Sequence, residues 1–255
     1  MNGRDRLESI KEQLTMKGSV NVDELQQLFQ VSAETIRRDL TQLVEDGIAI
    51  RTYGGAVLNK DVRMEKYNFS IRSVTHQEEK QIIAEIAAEL IPPYQHIGCD
   101  ASTTVLELLK TVRDREDLVV LTNSTQALSA VMEAKYGLRS TGGNVDFQSG
   151  YMIGHTAAEA ISFYNLDMTF VSCKGIDLTG LVYDTNESET DLKRKFIERS
   201  RRKILLADHT KIGRKGFTSW AKVWDFDLFV TDRRPPEEFM DMLEENNIEV
   251  LYAES

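Results

Sequence analysis

The sequence predicts an α/β chain in two parts: a small helical domain closed by a β-hairpin, and a larger domain whose helices cover a mostly parallel sheet. Three observations predict it. Apolar stripes at helical spacing fill the first 45 residues, two apolar runs flank Gly54-Gly55, and from residue 80 onward strand-like and helix-like patterns alternate. The 255 residues are 41% apolar and 28% charged, which excludes wholesale disorder and supplies apolar surface for more than one core. No run approaches the roughly 18 apolar residues that span a bilayer. The first residues lead into a charged helix with no apolar signal segment, so a cytoplasmic location and no membrane partner are expected.

Leu7, Ile10 and Leu14 recur at spacings of three and four, and Lys17-Gly18 closes this first helix with a basic last turn and a glycine. Asn21-Val22-Asp23-Glu24 has a capping-box pattern ahead of a short second helix with Leu25, Leu28 and Phe29 on its apolar face. Ser32 suits the N-cap of a third helix whose stripe is Ile36, Leu40, Leu43 and Val44, stopped by Gly47. Ile48 to Leu58 then reads as a hairpin around Gly54-Gly55. Three short helices and a hairpin make a winged helix-turn-helix over residues 1–58. In that architecture the N-terminal half of the third helix enters the major groove, where arginine grips guanine or phosphate and small polar side chains reach base edges. Ser32, Thr35, Arg37, Arg38 and Gln42 lie outside the apolar stripe and are the candidate groove contacts; Arg51 and Tyr53 on the hairpin are placed for the backbone or minor groove. The expected partner is double-stranded operator DNA.

Residues 59–76 lose apolar periodicity without becoming Gly/Ser-rich and read as an ordered linker to a domain over residues 77–255. There, helices are expected at 80–90, 104–110, 125–133, 157–163, 189–201 and 235–246, and strands at 96–99, 118–121, 168–172, 203–207, 228–231 and 249–251. Alternation of this kind implies a parallel sheet, and such sheets bind ligands beyond the carboxyl ends of strands, where helix N-termini offer free N–H groups. Asp100-Ala101-Ser102-Thr103-Thr104, Thr122-Asn123-Ser124 and Ser140-Thr141-Gly142-Gly143 fall at three such places. Singly, each is an ordinary set of N-caps; recurrence at successive strand ends predicts a shared pocket. Its hydroxyls and amides suit a phosphate, and Asp100 and Asn123 suit sugar hydroxyls.

Arg6-x3-Ile10-x3-Leu14, then seventeen residues, then Ser32-x2-Thr35-Ile36-Arg37-Arg38-Asp39-Leu40 resembles the N-terminal signature of the DeoR family of bacterial transcriptional regulators. Arg51-Thr52-Tyr53-Gly54-Gly55-Ala56 is similar to that family's wing. Cys173-Lys174-Gly175-Ile176-Asp177 and Asp208-His209-Thr210-Lys211 resemble the Gly-Ile-Asp turn and Asp-x-x-Lys strand end of its sensor domain, and the resemblance runs over residues 5–251. It implies a second domain similar in fold to sugar-phosphate isomerases and a homodimer or homotetramer. It also implies repression of a carbohydrate catabolic operon, relieved by a phosphorylated sugar or related catabolite. Carried over by position, the effector contacts are Asp100, Ser102, Thr103, Thr104, Thr122, Asn123, Ser124, Gly142, Gly143, Lys174, Gly175, Asp177, Glu187 in a polar loop, and Lys211. The sequence departs from the family where Ala101 replaces a usual glycine, Pro92-Pro93 a polar-glycine turn, and Asp146 a residue that is often basic. The alternative is isomerase or deaminase activity in the second domain, for which Asp100, Asp177 and Glu187 offer carboxylates. A DNA-binding domain on the same chain favours the sensor, and no catalytic residue is assigned.

The net charge of -10 argues against coating nucleic acid by bulk electrostatics. The first sixty residues hold eight basic and nine acidic side chains, so DNA binding has to be local. Cys99 and Cys173 read as small buried hydrophobes, the four histidines show no metal-ligand spacing, and neither a Walker loop nor a G-x-G-x-x-G turn occurs. No metal or cofactor is expected. Lys193 to Lys203 holds seven basic residues against Glu198. It reads as an exposed basic helix face, with a subunit contact or a hold on the effector phosphate as alternatives.

Overall fold

Three amphipathic stripes cover one another at the start of the chain. Ile10, Leu14, Leu25, Ile36, Leu40 and Leu43 are buried together with Val20, Val22 and Ala56 in one core, which is where most of the stability of such short helices comes from. In the computed structural model, which describes residues 3–45, 48–59, 69–147 and 149–254, this core belongs to the first of two compact units, Met1–Thr75 and His76–Ser255. The first contains α1 (Gly3–Lys17), β1 (Ser19–Asn21), α2 (Val22–Phe29), α3 (Ala33–Glu45), β2 (Ala49–Thr52), β3 (Gly55–Leu58) and α4 (Phe69–Val74). Asn21 Oδ1 accepts from Asp23 N at 2.8 Å and Ser32 Oγ from Thr35 N at 3.3 Å, so both residues act as caps, Asn21 through Asp23 rather than through the box expected with Glu24. Leu28, expected on the apolar face of α2, is exposed; Leu25 is buried and Phe29 packs on the core from the same helix. Gly47 and residues 60–68 of the expected linker lie outside the described residues.

The hairpin gains a strand that the sequence does not announce. β1 pairs antiparallel with β3, Val20 opposite Ala56, and β3 with β2, in the order β1-β3-β2. A side chain on Gly55 would run into the Val20 carbonyl, so the close approach of β1 to β3 requires glycine there. Gly54, at φ +87°, makes the turn.

The second unit continues with α5 (Gln77–Glu89), β4 (His96–Cys99), α6 (Thr103–Thr111), β5 (Val119–Thr122), α7 (Thr125–Ala130), β6 (Gly137–Ser140), β7 (Asn144–Asp146), β8 (Tyr151–Ile153), α8 (His155–Ser162) and β9 (Leu166–Ser172). It ends with β10 (Gly175–Ile176), β11 (Leu181–Asp184), α9 (Glu187–Glu198), β12 (Ser200–Leu206), β13 (Thr218–Lys222), β14 (Leu228–Val230), α10 (Glu237–Glu245) and β15 (Glu249–Leu251). Seven strands form one parallel sheet in the order β15-β14-β12-β9-β4-β5-β6. Its central strands are buried on both faces, Ile97, Phe170, Val171, Ile204, Leu205 and Phe229 among them, as a sheet covered by helices demands. The chain steps outward from β4 through β5 to β6, then returns to place β9 on the other side of β4. That reversal between β4 and β9 is a topological switch point. An antiparallel sheet β10-β11-β13 and a β7-β8 hairpin complete the unit. Cys99 and Cys173 are buried; burial pushes the Cys173 thiol up to about 12 and the Cys99 thiol well above its ordinary value.

Gly55→Ala is expected to destabilise the winged unit by about 1–3 kcal/mol, measured as a lower urea midpoint at unchanged slope.

Candidate DNA-reading face and effector pocket

On α3 the sequence-predicted contacts form one outer face. Ser32, Arg37, Arg38 and Gln42 are exposed and Thr35 is half-buried; Ser32 Oγ and Thr35 Oγ1 lie 2.9 Å apart. Arg37 meets Glu34 only at 3.9 Å, across exposed side chains, an arrangement that leaves the guanidinium mobile. Arg51 and Tyr53 are exposed at the hairpin tip. What aims this face is a pair that sequence reading did not join. Arg6 of α1 donates through Nε to Asp39 Oδ2 at 2.6 Å and through Nη2 to Asp39 Oδ1 at 3.2 Å. The fork-to-carboxylate geometry fixes α3 in rotation against α1. It also neutralises a carboxylate that stands one residue from Arg38, where it would otherwise repel phosphate. Hydrogen bonding to Asp39 raises the Arg6 pKa, against a smaller opposing effect of burial.

In the second unit three predicted clusters stand side by side at the carboxyl ends of β4, β5 and β6, which are neighbours in the sheet. Ser102 Oγ caps α6 by accepting from Val105 N at 3.2 Å, and Thr103 and Thr104 follow in its first turn. Thr122 Oγ1 accepts from Ser124 N at 3.1 Å, and Ser124 Oγ caps α7 through Ala127 N at 3.1 Å. Asn123 donates from Nδ2 to the Met152 carbonyl at 3.2 Å, while its buried Oδ1 has no partner, an unused acceptor of the kind a ligand hydroxyl satisfies. Thr141 N donates to Thr122 O at 3.0 Å, joining the second and third clusters. Gly142 and Gly143 have φ of +64° and +109°; a Cβ on Gly143 would lie 2.6 Å from Ile153 O.

Across the switch point, Lys174 follows β9 and Lys211 closes a short turn after β12, with its N–H donating to Asp208 O at 2.9 Å. Three residues stand differently from the expectation. Asp100 is buried and its carboxylate already accepts from Ser102 N at 2.9 Å and Ser172 N at 3.0 Å, clasping β4 to β9. Asp177 organises the β10-β11 turn, accepting from Thr179 N at 3.0 Å, Leu181 N at 3.1 Å and the Tyr183 hydroxyl at 2.9 Å. Burial pushes its pKa up, but these hydrogen bonds prevail and hold it below the ordinary value. Glu187 is not in a loop; it opens α9, whose N-cap Asn186 accepts from Glu189 N at 3.2 Å. Gly175 sits in β10 opposite Tyr183 of β11.

The largest departure is Lys193, expected on an exposed basic face and found buried, with its side chain 3% accessible. Nζ lies 2.7 Å from Asp184 Oδ2, 3.1 Å from Glu189 Oε1 and 3.4 Å from Asp100 Oδ2, and donates to Ser172 O at 2.8 Å. Burial opposes its charge, yet Asp184, Glu189 and Asp100 together hold its pKa well above the ordinary lysine value. Burial pushes Asp184 up to about 6 against the pull of Lys193. The spacing Glu189-x3-Lys193 was the available signal, hidden by the basic run around it. Lys80 of α5 is a second buried lysine that periodicity did not reveal.

A cleft of about 340 Å³ lined by Asn165, Asp167, Glu198, Arg199 and Arg201 opens at the amino ends of β9 and β12, whereas the clusters after β4, β5 and β6 lie at the carboxyl edge of the sheet. Among the described residues no three His, Cys, Asp or Glu side chains are placed to hold a metal ion, and no helix is long and apolar enough to cross a membrane.

Comparison with known proteins places these features together. The DeoR C terminal sensor domain family matches residues 75–233 and the DeoR-like helix-turn-helix domain family residues 6–62. The HTH-type transcriptional repressor GlcR of Bacillus subtilis (strain 168) is 34% identical over 256 residues, covering 100% of this chain and 98% of that protein. The glycerol-3-phosphate regulon repressor of Escherichia coli (strain K12) is 31% identical over 252 residues, covering 98% of this chain and 99% of that protein. Among solved structures, a ribose 5-phosphate isomerase A from Methanocaldococcus jannaschii aligns at TM-score 0.41 and 14% identity over 54% of this chain and 55% of that one, a partial likeness that says nothing of activity.

Because the folded-state pKa of Asp184 lies above the unfolded value near 3.8, the stability this group contributes is fully present below about pH 4 and is lost as pH rises through about 6. Asp184→Asn is expected to flatten the dependence of the melting temperature on pH between 4 and 6, read by calorimetry at a series of pH values.

Proposed function

The chain is a DNA-binding transcriptional regulator of the DeoR family, and from that premise we propose that it is a cytoplasmic repressor of a carbohydrate catabolic operon, released from DNA by a phosphorylated sugar. Residues 1–58 read operator DNA, and two such domains in a homodimer or homotetramer address paired half-sites. Residues 77–255 bind the effector. The observation that carries the sensor half is the row of hydroxyl- and amide-bearing clusters at the adjacent ends of β4, β5 and β6, two of them opening helices, which is chemistry suited to a phosphate. The unpartnered Asn123 Oδ1 supports recognition of a hydroxyl beside it. A relative named for a glycerol-3-phosphate regulon supports a small phosphorylated carbohydrate or polyol as the class.

Binding without turnover fits the same geometry. Asp177 already accepts the main-chain N–H groups of Thr179 and Leu181, and hydrogen bonds of that kind hold its pKa below the ordinary value and weaken it as a base. Release of DNA requires the effector to prefer the DNA-free state, since a ligand with equal affinity for both shifts nothing.

Arg37→Ala is expected to lose about 1–3 kcal/mol of operator affinity and to relax specificity at one base, whereas Arg51→Ala weakens binding to all sequences and lowers the salt slope by about one. Fluorescence anisotropy on DNA from upstream of the gene, at several salt concentrations, separates the two. In the same assay one member of a panel containing glucose 6-phosphate, fructose 1-phosphate, ribose 5-phosphate and glycerol 3-phosphate is expected to release the complex. Specific DNA binding that no sugar phosphate alters would overturn the sensor half alone.

A further inference from the structure

Lys193 is not among the effector contacts that the family resemblance implies, yet it lies against Asp100 and Ser172 at the switch point. A lysine ammonium has three protons, and four acceptors surround this one: Asp184 at 2.7 Å, Ser172 O at 2.8 Å, Glu189 at 3.1 Å and Asp100 at 3.4 Å. They come from four places: the end of β11, the end of β9, the first turn of α9, and the loop that joins β4 to α6. Asp100 in turn accepts from Ser102 N and Ser172 N. One buried charge therefore ties the loop that carries Ser102 and leads into Thr103 and Thr104 of α6 to the neighbouring strand end and to the antiparallel sheet. Stability alone is a poor reason for it, since a buried ion cluster is often no better than an apolar side chain of the same volume. Two buried polar atoms border the cluster without partners, Asp184 Oδ1 and Trp220 Nε1, and Lys193 Nζ lies 5.7 Å from the centre of the Trp220 ring.

We propose that Lys193 is the positioning residue of the effector pocket, holding the Asp100 loop in the conformation that presents the first turn of α6 to an anion. It touches no ligand; it fixes the groups that do. This inference rests on the effector-binding reading, but its local consequence for the loop is measurable without any ligand.

The test uses the full chain and compares wild type with Lys193→Met and Lys193→Arg. Amide hydrogen exchange is followed by mass spectrometry, and binding of glucose 6-phosphate, ribose 5-phosphate, glycerol 3-phosphate and inorganic phosphate by titration calorimetry. In Lys193→Met, exchange is expected to rise at least tenfold in residues 100–105 and 172–175, with the rest of the sheet unchanged. The Kd of whichever probe the wild type binds is expected to rise at least tenfold while operator affinity without probe stays within twofold; Lys193→Arg is expected to recover part of both effects. Unchanged exchange in residues 100–105, or exchange raised equally throughout the second unit, would show a merely structural cluster and overturn the proposal. Should the wild type bind none of the probes, the effector reading fails on its own and the exchange pattern still decides the part played by Lys193. If Lys193→Met does not fold, Lys193→Met combined with Asp184→Asn removes both members of the shortest pair and is read by the same two measurements.

Discussion

The meeting of β4 and β9 is the constraint on which the second unit depends. Here the direction of strand addition reverses, two loops diverge, and the backbone of each loop has to be satisfied without a further ladder. Asp100 does this from one side, accepting from Ser102 N and Ser172 N, and Lys193 from the other, donating to Ser172 O. Burying a polar group costs free energy unless it is hydrogen-bonded, and each of these pairings fixes the position of a loop. Loss of one partner from such a cluster costs about 3–5 kcal/mol because the remaining charges stay buried.

The first unit uses a similar device on a smaller scale. Its core of Ile10, Leu14, Ile36 and Leu40 sets how closely α1 and α3 approach, but apolar contacts tolerate rotation of one helix against the other. The two-point pairing of Arg6 with Asp39 removes that freedom. Rigidity matters because base readout depends on side chains that leave the helix at fixed angles. Arg37 and Arg38 are then exposed for a geometrical reason: the opposite side of their helix is occupied by the core.

Much of this architecture was legible in the sequence. Strand boundaries at His96–Cys99 and Glu249–Leu251 coincide with the observed ones, and the three helical stripes of the first unit needed only periodicity. β1, β10, β11 and β13 were not legible, because they stand outside the alternation of parallel strands and helices and form through antiparallel partners, as Val182 does opposite Ala221. The clusters at β4, β5 and β6 were legible because capping residues recur where strands give way to helices. Lys193 was not: a sequence shows the charge of a residue and its neighbours, but whether three carboxylates from other elements converge on it is settled by topology. Asp100 and Asp177 illustrate the same limit, since residue type does not show that Asp100 accepts from two main-chain N–H groups or that Asp177 accepts from Thr179, Leu181 and the Tyr183 hydroxyl.

Cys99 ends β4 and Cys173 follows β9, so the two sulfurs of the chain's only cysteines flank the loops of the candidate pocket. Both are sealed from solvent, and burial keeps them as thiols far above neutral pH. Oxidants and electrophiles attack the thiolate at accessible sites, so neither sulfur offers them an entry. Neither thiol is therefore placed to act as a redox switch beside the candidate pocket.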